Sequence, residues 1–206
     1  MILDLHVHTS RYSPCSRMSP DELLVAAKAK GLDGICLTEH QTVWPRDEAR
    51  DLARRHGLAV FRGLEATTTA GDILVFGPPP ENIGVLTPEE LRRLVDDLGG
   101  LAVLAHPFRG FLVFGFTGLS LEAACDLPVM RRVSGLETVN PRVTDAENDL
   151  ARRVAERLGL LSLAGSDAHS TQEVGAGVTI FDRNLDTEEA LAAALKAGRF
   201  TIARRY

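Results

Sequence analysis

The sequence predicts an α/β protein built on a parallel sheet, either open or closed into a barrel. Strand-like apolar segments alternate with helical ones at intervals of roughly 25–35 residues, which is the pattern of βα units. The connections are short, and no linker, low-complexity segment or internal repeat interrupts the series. The 206 residues are therefore expected to form one domain, long enough to bury a substantial core.

Ile2–Val7 reads as a buried strand, followed by a polar loop. Ser19-Pro20-Asp21-Glu22 then opens a helix: Ser19 as N-cap, Pro20 at the first position and Glu22 completing a capping box. Gly31 stops it, and Gly34–Thr38 is the second strand, running into Glu39-His40. Arg46–His56 is a helix ended by Gly57, and Leu58–Leu64 is a third strand ending at Glu65. Ile73–Phe76 is a strand that leaves through Gly77-Pro78-Pro79-Pro80. Thr87-Pro88-Glu89-Glu90 repeats the capping signal, and Leu101–Ala105 is a strand running into His106-Pro107. A short helix around Leu119–Cys125 precedes the strand Gly135–Val139, the long helix Thr144–Leu158 and the strand Leu160–Ala164. Gly177–Phe181, a helix over Asp186–Ala197 and a short strand at Thr201-Ile202-Ala203 complete the chain.

Composition excludes several classes. Hydrophobic content of 45 % and charged content of 25 % are those of an ordinary soluble protein. Apolar runs such as Leu101–Ala105 and Leu158–Leu161 are far short of a membrane span, and neither a signal nor a transit sequence is expected. Three widely spaced cysteines, Cys15, Cys36 and Cys125, argue against a disulfide framework and for a reducing cytoplasm. A net charge of −5 and only 11 aromatic residues argue against strong nucleic-acid binding.

The chemistry gathers at strand ends. Six strands run, at the carboxyl side, into residues suited to binding metal or substrate: His6/His8, Glu39/His40, Glu65, His106, Asn140 and Asp167/His169. Five of the six histidines lie there; His56 falls in the last turn of a helix, where a contact with the helix dipole suffices. His6 and His8 alternate with Val7, so an extended strand aims both the same way. Each residue alone has an ordinary explanation as a cap, a turn former or a backbone-bonded histidine. Together on one rim they would cost several kcal/mol in desolvation and repulsion unless a cation compensated them. Two or more divalent ions are the expected remedy. Arg11 and Arg142, beside these turns, are placed either to grip phosphate or to sit as surface arginines.

Asp4–His8 with Thr9, Gly34–His40, Ala105-His106-Pro107 and Gly165–His169 match, in order, the motifs of the PHP (polymerase and histidinol phosphatase) superfamily. The resemblance runs from residue 2 to about residue 181. It implies a distorted (β/α)7 TIM-like barrel, a bi- or trinuclear metal site and phosphoesterase chemistry. Carried over by position, His6, His8, His40, Glu65, His106, Asp167 and His169 match ligands, with Glu65 bridging, and Arg109 matches a phosphate-holding place. Asp167, His169 and Arg109 are the expected catalytic residues. The chain departs from the pattern at Tyr12-Ser13-Pro14-Cys15, where relatives carry an Asp or His, and after Glu65, where Asp72 or nothing replaces a ligand histidine. Two tight ions (manganese, zinc or iron) are therefore expected, with a third weak or absent, or held in zinc through Cys15.

The expected function is hydrolysis of a small phosphomonoester or nucleotide by a metal-bridged hydroxide. A nuclease-type activity, a non-catalytic metal-binding regulatory module, and amide or lactone hydrolysis are the alternatives. The phenylalanine-rich stretch Phe108–Phe116 is a hydrophobic lid, a homodimer patch or simply core, with a lid or patch the favoured expectation.

Overall fold

A computed structural model describes residues 1–110 and 119–205. Three of the four phenylalanines of the lid or dimer expectation, Phe111, Phe114 and Phe116, lie outside the described residues. The fourth, Phe108, is buried in the core against strand and helix side chains, so it is not part of an exposed patch.

Among the described residues ten strands fall into two five-stranded sheets. The first holds, in chain order, β1 (Ile2–Val7), β2 (Gly34–Leu37), β3 (Ala59–Arg62), β9 (Gly177–Phe181) and β10 (Phe200–Arg204), arranged β10-β9-β1-β2-β3. The second runs in sequence order through β4 (Leu64–Thr68), β5 (Gly71–Phe76), β6 (Leu101–Leu104), β7 (Gly135–Val139) and β8 (Leu161–Ala164).

This corrects the expected parallel TIM-like barrel. Both sheets are mixed and they do not close into one ladder: β4–β5, β5–β6, β1–β9 and β9–β10 are antiparallel. The reason is local, since β4 and β5 are joined by a tight turn in which the Thr68 hydroxyl donates to the Gly71 carbonyl (2.6 Å), leaving no room for a crossover helix. The segment expected as one strand through Leu64 is likewise two. The chain changes sheets at Gly63, where a Cβ would meet Cys36 Sγ at 2.8 Å and the Val75 carbonyl at 2.9 Å.

Among the described residues six α-helices cover the sheets: α1 (Pro20–Ala29), α2 (Arg46–His56), α3 (Pro88–Asp97), α4 (Leu121–Cys125), α5 (Asp145–Leu158) and α6 (Glu188–Lys196). The capping boxes expected at Ser19/Glu22 and Thr87/Glu90 form, and a third forms at Thr144/Glu147. Between the sheets, Leu3, Leu5, Leu74, Phe76, Val103 and Leu163 pack into a core that Leu191 and Leu195 of α6 also join.

The sheets touch at two seams. At one, Glu65 N–H donates to the Glu39 carbonyl (3.1 Å) and Gln41 N–H to the Glu65 carbonyl (2.9 Å). At the other, Asp167 N–H donates to the His6 carbonyl (2.7 Å) and His8 N–H to the Ala168 carbonyl (3.0 Å). Every residue expected as a ligand at a strand end lies at or beside these seams, apart from His106.

Gly165 makes the second seam possible, because a Cβ there would fall on the Cβ of His6 and 2.9 Å from Glu137 Oε1. Gly165→Ala should lower stability by about 2 kcal/mol or more, a downward shift in Tm of roughly 4–8 °C for a chain of this size. A thermal melt that did not move would show that the seam tolerates a side chain.

Candidate metal centre

All seven residues that match ligand positions meet in one place. Three overlapping groups each bring their ligand atoms within 4.8 Å of one another: His6-Glu65-His106, His6-His8-Asp167 and His8-His40-His169. Glu65 is fully buried; its Oε1 lies 3.0 Å from His106 Nε2, and its Oε2 lies 2.9 Å from His40 Nδ1, 3.1 Å from His8 Nε2 and 3.3 Å from His6 Nε2. Asp167 Oδ1 lies 3.3 Å from His8 Nε2 and 3.6 Å from His6 Nε2. His106 and Asp167 both hold positive φ, 28° and 55°, a backbone state that is costly outside glycine and that clusters at functional sites.

The chemistry of the donor set fits a divalent cation. His6 Nδ1–H donates to Glu137 Oε1 (2.9 Å), so the ring, once it gives up its second proton, turns an Nε2 lone pair inward. His169 Nδ1–H donates to the Asp167 carbonyl (2.8 Å) and likewise leaves Nε2 free. Two imidazole nitrogens, His6 Nε2 and His8 Nε2, face each other at 3.1 Å, and buried Glu65 Oε2 has no hydrogen bond of acceptable geometry. Converging lone pairs and an orphaned carboxylate oxygen are what a cation would satisfy.

Electrostatics agree. Burial opposes the His6 imidazolium, yet the carboxylates of Glu137, Asp167 and Glu65 outweigh it and hold its pKa well above the ordinary value. His8 is raised too: burial opposes it, and hydrogen bonds with Asp167 and Glu65 prevail. Burial pushes Glu65 up, but the charge of His6, the hydrogen bond from His106 to Oε1 and the close approach of the His40 and His6 rings to Oε2 bring its pKa well below the carboxylate range. Asp167 is also lowered, with His6, His8 and Arg109 overcoming its burial. All four shifts favour positive charge on the rings and negative charge on the carboxylates.

The arginines divide. The Arg109 guanidinium contacts Asp167 Oδ2; Arg142 Nε lies 3.9 Å from the same oxygen, with its NH1 3.0 Å from Glu173 Oε1. Arg11 instead turns to Glu48 (3.3 Å) and stacks over Tyr12, so the structure does not bring it to the centre. Cys15 is exposed and belongs to none of the three groups, and Asp72 belongs to none either. Ser13 is buried, its Oγ accepting from His40 N–H (3.2 Å) and lying 3.4 Å from His8 Nδ1. Asn140 serves the turn, its Nδ2 donating to Glu137 and its Oδ1 accepting from Arg142 N–H. Glu39 ties two loops together, accepting from Thr9 and from Trp44 Nε1.

Sequence reasoning missed two buried acids. Glu137 accepts from His6 Nδ1, from His106 N–H (2.9 Å) and from Asn140. Asp4 accepts from Ser166 N–H and Oγ and from Gly175 N–H, fixing the turn that carries Asp167. Burial raises its pKa to about 6 against those hydrogen bonds. The available signal was a carboxylate inside each apolar strand.

The PHP domain family matches residues 4–95, and the PHP-associated C-terminal family matches residues 145–200. The chain belongs to the PHP family. An uncharacterized protein of Methanocaldococcus jannaschii is 33 % identical over 118 residues, covering 52 % of this chain and 68 % of that one. An error-prone DNA polymerase of Cutibacterium acnes is 26 % identical over 203 residues, covering 81 % of this chain, which spans only 18 % of the polymerase. A two-domain protein of Bacteroides vulgatus, described as containing a predicted PHP-like metal-dependent phosphoesterase, shares the fold with a TM-score of 0.75 at 21 % identity. It covers all of this PHP chain, which covers 65 % of it. Among the described residues no helix is long and apolar enough to cross a membrane.

The raised pKa values of His6 and His8 give a pH signature. Their protonation stabilises the metal-free fold fully below the ordinary histidine value and is lost as pH rises through the raised values. Asp167 and Glu65, being lowered, stabilise above the ordinary carboxylate range and cease to do so in acid. Manganese or zinc should therefore raise Tm more at pH 8.5 than at pH 6, and calorimetry in buffers of different ionisation enthalpy should show net proton release. A pH-independent shift without proton release would mean that ions bind elsewhere. Glu137→Gln, which removes the charge behind His6, should weaken metal affinity by about 10–100-fold. Unchanged affinity in competition with a chelating dye would leave Glu137 a purely structural role.

Proposed function

We propose that this PHP protein is a metal-dependent phosphoesterase that hydrolyses a small phosphomonoester or nucleotide. The observation that carries the reading is two guanidinium groups, Arg109 and Arg142, near one carboxylate at the edge of the cluster of candidate metal ligands. Two groups of candidate ligands share no residue, His6-Glu65-His106 and His8-His40-His169, which favours two ions with Asp167 and Glu65 between them. A third ion has no separate ligand set among the described residues. The mixed imidazole and carboxylate donors suit manganese, zinc or iron. Such ions, when bound, supply Lewis acidity and an acidified water.

The chain's own residues do the rest. Arg109 is half-exposed and can exchange Asp167 for two phosphate oxygens, which its planar fork matches. Arg142, anchored on Glu173, brings a second positive charge to offset what develops on phosphorus oxygens in the transition state. Burial and neighbouring His8 lower the pKa of His169, which favours the neutral ring, its Nδ1–H donating to the Asp167 carbonyl and its Nε2 left with a lone pair. Asp167 is held ionised and orients His8 and Arg109.

A nuclease-type activity is the second reading, favoured by the alignment with the error-prone polymerase. Net charge of −5 weighs against extended strand binding. Phosphomonoesters, diesters and short oligonucleotides should be compared with manganese, zinc or iron loaded, and monoesters should turn over fastest. Faster turnover of oligonucleotides would replace the first reading by the second. Arg109→Ala should raise KM for phosphomonoesters by about tenfold or more while elemental analysis shows unchanged metal. If KM and kcat both stayed the same, Arg109 would not be the phosphate clamp.

A further inference from the structure

Beside the centre, on the side of His106 and Arg109, lies a cavity of about 630 Å³. Leu104, Leu127 and Val129 give it mainly apolar walls, and its one carboxylate is Asp72. Across the β4–β5 hairpin Glu65 pairs with Leu74 and Thr67 with Asp72. Directly paired residues share a face of the sheet, as do alternate residues along a strand. Asp72 thus stands on the Glu65 face, one step further out than the three metal-capable groups, to which it does not belong. It is partly withdrawn from water, and among the described residues its carboxylate has no hydrogen-bond or ion-pair partner.

An acceptor-only group in such a wall has unmet capacity for donors and repels a second anion. Arg109 touches Asp167 at the centre and also lines this cavity. A phosphate held by Arg109 would therefore have its ester substituent next to the cavity mouth. Resting on the phosphoesterase reading, we propose that the cavity receives the alcohol part of the substrate and that Asp72 is its charge filter. It admits apolar alcohol parts that are neutral or carry an ammonium or hydroxyl donor, and excludes those with a second phosphate or a carboxylate. His106 and Arg109 supply the shared wall between chemistry and selection.

The test uses benzylphosphonate and its 4-aminomethyl and 4-carboxy derivatives, measured by calorimetry on manganese-loaded and metal-free protein, with the corresponding phenyl phosphates as substrates. The wild type should bind the aminomethyl compound at least about tenfold more tightly than the carboxy compound, as expected for one charge of either sign beside a partly buried carboxylate. Asp72→Asn should compress that ratio to about threefold or less, and Asp72→Lys should invert it. The same ratio in wild type and both variants would overturn the filter, as would failure of all three phosphonates to bind. A lower manganese content in Asp72→Asn would make Asp72 a metal ligand and also overturn it. If the binding order followed the charge at residue 72 while no phenyl phosphate was hydrolysed, the filter would stand and the phosphoesterase reading would fall.

Discussion

The structure depends on keeping several carboxylates and imidazoles out of water in one small volume. Glu65, Asp167 and Glu137 are buried within reach of His6, and among the described residues only Asp167 of the three touches a permanent cation, the half-exposed Arg109. Such an arrangement is unfavourable by several kcal/mol unless positive charge is imported. The same carboxylates make both His6 and His8 more basic than usual, since a proton on either ring supplies positive charge as a cation would. The backbone carries its own share of the cost at His106 and Asp167, whose positive φ values are held in place by the bonds to Glu137 and to the His6 carbonyl.

Two sheets rather than one barrel make this placement possible. A continuous ladder would consume the backbone groups at the strand ends in regular pairing. Here short bridges, His40 with Glu65 and Val7 with Ala168, hold the edges together and leave the side chains beside them free to converge. Gly63 and Gly165 mark the passages where one chain must run against another without a side chain between them.

Much of this was legible in the sequence. The helix starts were clear because Ser19/Glu22 and Thr87/Glu90 are local chemistry that needs no tertiary context. The seven ligand candidates, five histidines with Glu65 and Asp167, stood out because they recur together at strand ends and match the order of the PHP motifs. Strand direction was not legible, since β4 and β5 are short and nothing in their composition separates a hairpin from a crossover. Glu137 and Asp4 were hidden for the opposite reason: each sits inside an apolar run, and only the fold shows what it faces. Arg11 looked as well placed as Arg142, and the nearby Glu48 on α2 decided between them.

The scatter of the ligand groups along the chain has a consequence for when the centre can assemble. The group His6-Glu65-His106 draws only on about the first half of the chain, whereas His8-His40-His169 needs the turn after β8. Yet the His6 ring and the His106 backbone are both anchored on Glu137, so the inner group is not aligned until β7 is in place. Neither group is the product of one half of the chain, and a chain cut before β7 would hold the inner residues without the carboxylate that orients them.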